Sequence, residues 1–291
     1  NGRYIGFHSS SSNLFSDNVE LSEDQWHRYG TQVFVKDLQT DELFHVTNLD
    51  GWLGDGDIDE ATPYAINSNG DLLFASDQKW SNDDNSYSDQ GDVYLWTKAD
   101  ESLTLLTSNI EGEAKSLDAR NAKFADNGNV LIEAYVWDYI DDQDHNVLIE
   151  ANINNNTNQV LTSVEAGWGL SHIGETKDGH LIRRIGEGDD GNYEQLYYLG
   201  SDGELFQSEQ LKSINDQAFA LNTVGTDISL TAEGSAIGFI SSSPLLDGFV
   251  ETDRHAYIGY LNTGEIKLVD TDKDGNPVEY DGSLPEDERY P

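Results

Sequence analysis

Short apolar runs alternate along this chain with polar stretches rich in Gly, Asp and Asn, and the alternation recurs five times. Each recurrence opens on a turn ending in glycine, at Gly2, Gly70, Gly128, Gly179 and Gly234. A first apolar run follows at once: Arg3-Tyr4-Ile5-Gly6-Phe7, Asp71-Leu72-Leu73-Phe74, Asn129-Val130-Leu131-Ile132, His180-Leu181-Ile182 and Ser235-Ala236-Ile237-Gly238-Phe239. After a polar loop comes a second: Gln32-Val33-Phe34-Val35, Asp92-Val93-Tyr94-Leu95-Trp96, Asn146-Val147-Leu148-Ile149, Gln195-Leu196-Tyr197-Tyr198 and Ala256-Tyr257-Ile258-Gly259-Tyr260. Runs this short, rich in β-branched and aromatic residues and bounded by turn formers, read as strands. The opening glycines lie 68, 58, 51 and 55 residues apart, a spacing somewhat above the roughly 40 to 50 residues of a propeller blade. The pattern predicts an all-β chain, a β-propeller of five blades with four antiparallel strands each, in a single domain over 1–291.

Hairpin turns are predicted at Gln39-Thr40-Asp41-Glu42, Asn154-Asn155-Asn156-Thr157, Ser201-Asp202-Gly203-Glu204 and Asn262-Thr263-Gly264-Glu265, because Asn, Asp and Gly accept the backbone angles such turns need. The first unit lacks an innermost strand. The tail from Val278 to Pro291 is expected to supply it and close the ring, which would remove exposed edges; a piece cut from a larger propeller is the alternative. A start almost inside a strand and the lack of Met lead us to expect a mature or excised portion of a longer product with flanking domains.

The segment Asn1-Gly2-Arg3-Tyr4-Ile5-Gly6-Phe7-His8-Ser9-Ser10, followed by Val33-Phe34-Val35-Lys36-Asp37-Leu38-Gln39-Thr40, resembles the WD-like, TolB-type propeller repeat of bacterial envelope and secreted proteins. The fifth unit is similar to it, with Ser229-Leu230-Thr231-Ala232-Glu233-Gly234 and then Phe239-Ile240-Ser241-Ser242-Ser243. The middle units depart from it, with Arg183-Arg184 where apolar residues are usual. The resemblance implies a bacterial binding or scaffold platform and brings no catalytic set with it.

The net charge is −39, from 55 acidic and 16 basic residues. Such a chain repels a phosphate backbone, so nucleic acid is not an expected partner. The same charge opposes compaction unless cations screen it, which points to high salt or bound divalent ions. There are no cysteines, so neither disulfides nor thiolate metal sites exist to fix a redox compartment. No apolar run approaches the length of a membrane span, and no signal peptide is recognisable, so membrane insertion is not expected. An extracellular, cell-surface or periplasmic setting is expected.

Loops on a rigid scaffold commonly carry function. Sorting the sequence into the loops of one propeller face places Trp26, Trp52, Trp80, Trp137 and Trp168 there, with Tyr29, Tyr87 and Tyr139; Trp96 alone falls in a strand. Of these, Trp52, Trp80, Trp137, Trp168, Tyr87 and Tyr139 are the candidate ligand-binding residues, since Trp and Tyr combine rigid area with a polar tip. The same loops carry many carboxylates, which suits a cationic peptide, a basic protein surface, or a glycan held through calcium. Two runs have calcium-loop spacing. In one, Asp270, Asp272 and Asp274 alternate before Gly275, with Glu279 or Asp281 to close the shell; in the other, Asp55, Asp57 and Asp59 alternate. The first is not a standard EF-hand, because Pro277 and Asp281 replace its usual eighth and twelfth residues. The seven histidines show no metal spacing.

The main expectation is therefore a calcium-stabilised, ligand-binding or scaffold propeller. A carbohydrate-active enzyme, either a glycoside hydrolase or a polysaccharide lyase, is the alternative. It would use inner-strand acids such as Asp118 or Asp227, or a set such as His172, Arg120 and Tyr64. A structural spacer of an adhesin is the third reading. No serine-hydrolase elbow exists, since Gly169-Leu170-Ser171-His172 lacks the closing glycine.

Overall fold

A computed structural model of the chain describes residues 2–11, 14, 29–47, 58–76, 91–107, 115–138, 143–165, 168–188, 191–219, 228–241, 245 and 255–271. Among the described residues, nineteen strands run in chain order. The first blade holds β1 (Tyr4–Ser9), β2 (Tyr29–Asp37) and β3 (Leu43–His45); the second holds β4 (Ile58–Ile66), β5 (Leu72–Ser76), β6 (Asp92–Thr97) and β7 (Ser102–Leu105). The third is β8 (Lys115–Phe124), β9 (Val130–Asp138), β10 (Gln143–Asn152) and β11 (Thr157–Glu165). The fourth is β12 (Trp168–Thr176), β13 (Gly179–Gly188), β14 (Gly191–Leu199) and β15 (Leu205–Phe206), and the fifth is β16 (Ser229–Leu230), β17 (Ala236–Ser241), β18 (His255–Tyr260) and β19 (Ile266–Leu268). Within each blade, consecutive strands pair antiparallel. The chain is an all-β, five-bladed β-propeller. Beyond the blade pattern, β2 runs briefly parallel to β4, with Tyr29 opposite Ile58 and Thr31 opposite Glu60.

Two compact units divide the chain, Asn1–Ala166 with the first three blades and Gly167–Pro291 with the last two. In the first unit, one apolar layer packs Val33 and Val35 of the first blade against Leu72, Phe74, Tyr94 and Trp96 of the second. Another packs Leu73, Val93 and Leu95 of the second against Ala119, Ile132, Ala134, Val147 and Ile149 of the third. In the second unit, Leu181, Leu196 and Tyr198 meet Ile237, Phe239 and Tyr257. Period-two alternation thus sends successive residues of one strand to different neighbouring blades, which is why blade strands read as nearly continuous apolar runs.

A polar device recurs at one end of this packing. On β1 and β2 of the first blade, and on the second and third strands of the second and fifth, a stacked ring pair lies two residues from a serine facing a buried polar residue. The stacks are Phe7–Phe34, Phe74–Tyr94 and Phe239–Tyr257, with centroids 5.6, 5.5 and 5.8 Å apart. The facing pairs are Ser9 and Gln32, Ser76 and Asp92, and Ser241 and His255. A residue just beyond each blade's outermost strand then closes the clamp. Thr47 Oγ1 donates to Gln32 Oε1 at 2.7 Å and accepts from Val33 N at 3.0 Å. Thr107 Oγ1 donates to Asp92 Oδ1 at 2.5 Å and accepts from Val93 N at 3.3 Å. Asp270 accepts from Ala256 N at 3.1 Å and from His255 Nδ1 at 3.0 Å.

The fourth blade reaches the same end differently. Its outer strand is two residues long, and helix α1 (Glu209–Ile214), capped by Ser208, follows it, continuing into a π-helical turn at Asn215–Phe219. Leu211, Ile214 and Ala218 join the apolar layer. Asn215 holds the third strand from outside: its Oδ1 accepts from Leu196 N at 2.9 Å, and its Nδ2 donates to Leu196 O at 2.8 Å. At the glycine opening the fifth unit, a Cβ would lie 2.7 Å from Glu175 O and 2.8 Å from Thr176 Cα. Gly234 is therefore required both by its φ of +62° and by the approach of the fourth blade's hairpin.

Candidate functional site

Most of the sequence-predicted site lies outside the described residues: Trp52, Trp80, Tyr87, Tyr139, Asp55, Asp57, Asp272, Asp274, Glu279 and Asp281 all do. Asp59 is part of β4. Trp137 and Trp168 are corrected from loop to strand positions. Trp137 pairs in β9 with Ser116 and Asp144, and Trp168 opens β12 opposite Gly186. The third and fourth blades have inner strands of nine and ten residues, so their ladders run past the apolar segments that mark strands in the sequence. Asp270 has both carboxylate oxygens engaged in the fifth-blade clamp. Among the described residues, no group of three or more His, Asp or Glu is arranged to hold a metal ion.

The structure does bring together part of the inner-strand set. One face of the third blade is the apolar layer against the second; its other face sets polar residues beside the buried Leu131 and Leu148. Across β8, β9 and β10, Asp118, Tyr135 and Asn146 are successive register partners, and Asn121, Glu133 and Leu148 form the next row. A bulge between Ala119 and Asn121 leaves Arg120 as the extra residue, the kind of irregularity that re-aims a side chain. Arg120 Nη1 donates to Asn146 Oδ1 at 3.4 Å, and its Nε stands 4.0 Å from Asp118 Oδ2. The guanidinium also lies over the Tyr135 ring, 5.2 Å from its centroid. Asn121 Nδ2 reaches Glu133 Oε1 at 3.4 Å.

Electrostatics separate the roles of these groups. Burial raises the Asp118 carboxyl above its ordinary 3.8, with the Arg120 charge opposing the shift. Its side chain is still 33% exposed, so it combines partial desolvation with access, as a proton-transferring acid requires. Tyr64 lies beside it, with its hydroxyl donating to Ala119 O at 2.6 Å. Burial, then the Asp118 charge, pushes Tyr64 up to about 12. Its proton is committed to the backbone, so Tyr64 braces β8 and does not act as a base near neutrality.

In the second unit, Arg183 departs from the apolar repeat because it pairs with Glu194 on the adjacent strand, both buried. Such a pair is accommodated by mutual neutralisation and adds little net stability over apolar packing. His172, the remaining member of the predicted lyase set, contacts His180 at 3.1 Å between Nε2 and Nδ1.

No protein-family model matches the chain, and no curated protein matches it in sequence. Similar solved structures include dipeptidyl peptidase 4 of Porphyromonas gingivalis, with a TM-score of 0.47 and 12% identity, over 81% of this chain and 36% of that one. An oligogalacturonate lyase of Vibrio parahaemolyticus gives a TM-score of 0.45 and 14% identity, over 78% and 54%. An oligogalacturonate lyase in complex with manganese gives 0.48 and 14%, over 89% and 61%. The chain spans less than two thirds of the length of each of these three. Identities this low transfer no residue roles.

Proposed function

We propose that the chain is a carbohydrate-active propeller whose reaction site is the polar face of the third blade, with Asp118 as general acid. The observation that carries this reading is an accessible carboxyl held protonated to higher pH by burial, beside a guanidinium, an amide and a phenol ring. Asn146 and Arg120 supply hydrogen-bonding groups for sugar hydroxyls, and Asp118 delivers a proton to a departing glycosidic oxygen. Glu133, one register row away on the same face, is the second carboxylate that hydrolysis requires. Removing a positioned acid typically costs about 10²- to 10⁴-fold in rate. In a screen of neutral and acidic polysaccharides, turnover by the wild type and its loss of that order in Asp118→Asn support the reading. Full activity in the variant, or no turnover on any glycan, sinks it. Unsaturated products would assign elimination in place of hydrolysis.

A binding or scaffold role in an extracellular setting, on a TolB-type repeat with calcium, draws its support from the charge of −39. It predicts that calcium raises the unfolding temperature of chelator-treated protein beyond sodium at equal ionic strength. Binding at 100 times the dissociation constant adds about 2.7 kcal/mol. Equal shifts with both cations would leave the charge as a matter of solubility.

A further inference from the structure

We propose that His172 and His180 form a two-nitrogen clip for a borderline transition-metal ion of the zinc or cobalt(II) type. The residues lie on β12 and β13, joined by a tight hairpin. That hairpin is braced by Thr176 Oγ1 donating to Gly179 O at 2.8 Å and accepting from Asp178 N at 3.1 Å. A bulge between His172 and Gly174 shifts the register so that His172 faces Ile182 and Glu175 faces His180. The two imidazoles thus come within 3.1 Å, Nε2 to Nδ1, with ring centroids 5.1 Å apart.

That separation suits shared coordination. Two nitrogens 3.1 Å apart, each about 2.0 to 2.1 Å from one ion, subtend an angle of roughly 100°, between octahedral and tetrahedral values. Each ring then carries its proton on its other nitrogen, Nδ1 of His172 and Nε2 of His180, so both stay neutral and no proton need be lost. His172 is 5% exposed while His180 is half-buried, so the inner ligand is fixed by packing and the outer one meets solvent. Water fills the remaining positions. Imidazole nitrogen prefers zinc, cobalt and nickel, whereas the abundant carboxylates prefer calcium, so the clip is separable from the acidic loops by metal identity.

The test is cobalt(II) and zinc titration of the whole chain in excess calcium, read by cobalt visible absorbance and by calorimetry. One site is expected in the wild type, weakened by at least roughly tenfold in both His180→Gln and His172→Gln, since even loss of an outer-shell partner costs about 10- to 100-fold. His180→Gln, at the solvent side, carries the test if His172→Gln does not fold. No binding above the calcium background, or equal affinity in His180→Gln, would reduce the pair to a hydrogen bond tying the hairpin.

Discussion

Replacing Thr107 by Val removes one hydroxyl and leaves shape nearly unchanged, so its effect on stability measures the second-blade clamp. Thr107 and Asp92 are 6% and 3% exposed. The lost hydroxyl donates to Asp92 Oδ1 at 2.5 Å and accepts from Val93 N at 3.3 Å. A hydrogen bond to a carboxylate is worth about 1.5 to 3 kcal/mol, and the weaker amide bond adds about 0.5 kcal/mol. Thr107→Val should therefore cost about 3 kcal/mol. Thr47→Val removes two bonds between neutral partners in the first blade, and Gln32 Oε1 keeps a contact with His45 Nε2 at 3.2 Å. Its cost should be about 1 kcal/mol. Urea unfolding at fixed ionic strength and neutral pH, followed by circular dichroism and by fluorescence, reads both. The sites belong to different blades and share no partner, so the double variant should lose about the sum. A cost below about 0.5 kcal/mol for Thr107→Val, or a larger one for Thr47→Val, would refute the charge-assisted clamp.

Acid should weaken the fold in two windows. Burial lowers His45 from 6.5 to about 4, so the unfolded chain takes up that proton first and stability falls as pH drops from 6.5 to about 4; His45→Gln should flatten that slope in pH-dependent urea midpoints. The bidentate Arg3 guanidinium holds Asp37 well below its ordinary 3.8. Its contribution is present above 3.8 and is lost as pH falls below, a loss that Arg3→Gln should diminish. Asn215→Ala should cost about 2 kcal/mol through two broken bonds to the Leu196 backbone, read as an earlier urea midpoint; an unchanged midpoint would mean that the turn following α1 is not the fourth blade's outer support.

The repeat was legible in the chain because its turns demand unusual backbone angles. All five opening glycines have φ between +62° and +117°, and the predicted hairpins place Asp41, Asn156, Gly203 and Gly264 at φ +63°, +51°, +84° and +74°. Only Gly, and less readily Asn and Asp, occupy that region without steric cost. Helix α1 is signalled by Ser208 followed by apolar residues at 211, 214 and 218, the cap and spacing of a short amphipathic helix. The polar face of the third blade was only partly legible. Asp118, Arg120 and Tyr64 were recognisable as inner-strand chemistry, but their joining to Tyr135 and Asn146 needs the register and the bulge at Arg120. The histidine pair was hidden for the same reason: a hairpin continued from Thr176 and Gly179 without its bulge sets His172 opposite Arg183, on the other face from His180, and sequence spacing does not reveal a one-residue shift.

The clamps also show how one geometry constrains chemistry at positions 15 residues apart. Thr47 and Thr107 each accept from a backbone N–H and donate outward, so their partners, Gln32 Oε1 and Asp92 Oδ1, are acceptors. Asp270 occupies the same place but only accepts, from Ala256 N and from the facing side chain. Its partner must therefore be a donor, and His255 meets that need through Nδ1–H, which fixes its tautomer. An Asp at position 107 would face Asp92 with two acceptors and no proton between them, whereas His255 and Asp270 exchange both roles together. The pairing is conserved in hydrogen-bond polarity and free in residue type. It follows that Asp270, whose place in the sequence begins a run of alternating acids, has each oxygen accepting a hydrogen bond within the fifth blade, so any calcium held by that run would share this carboxylate with the clamp.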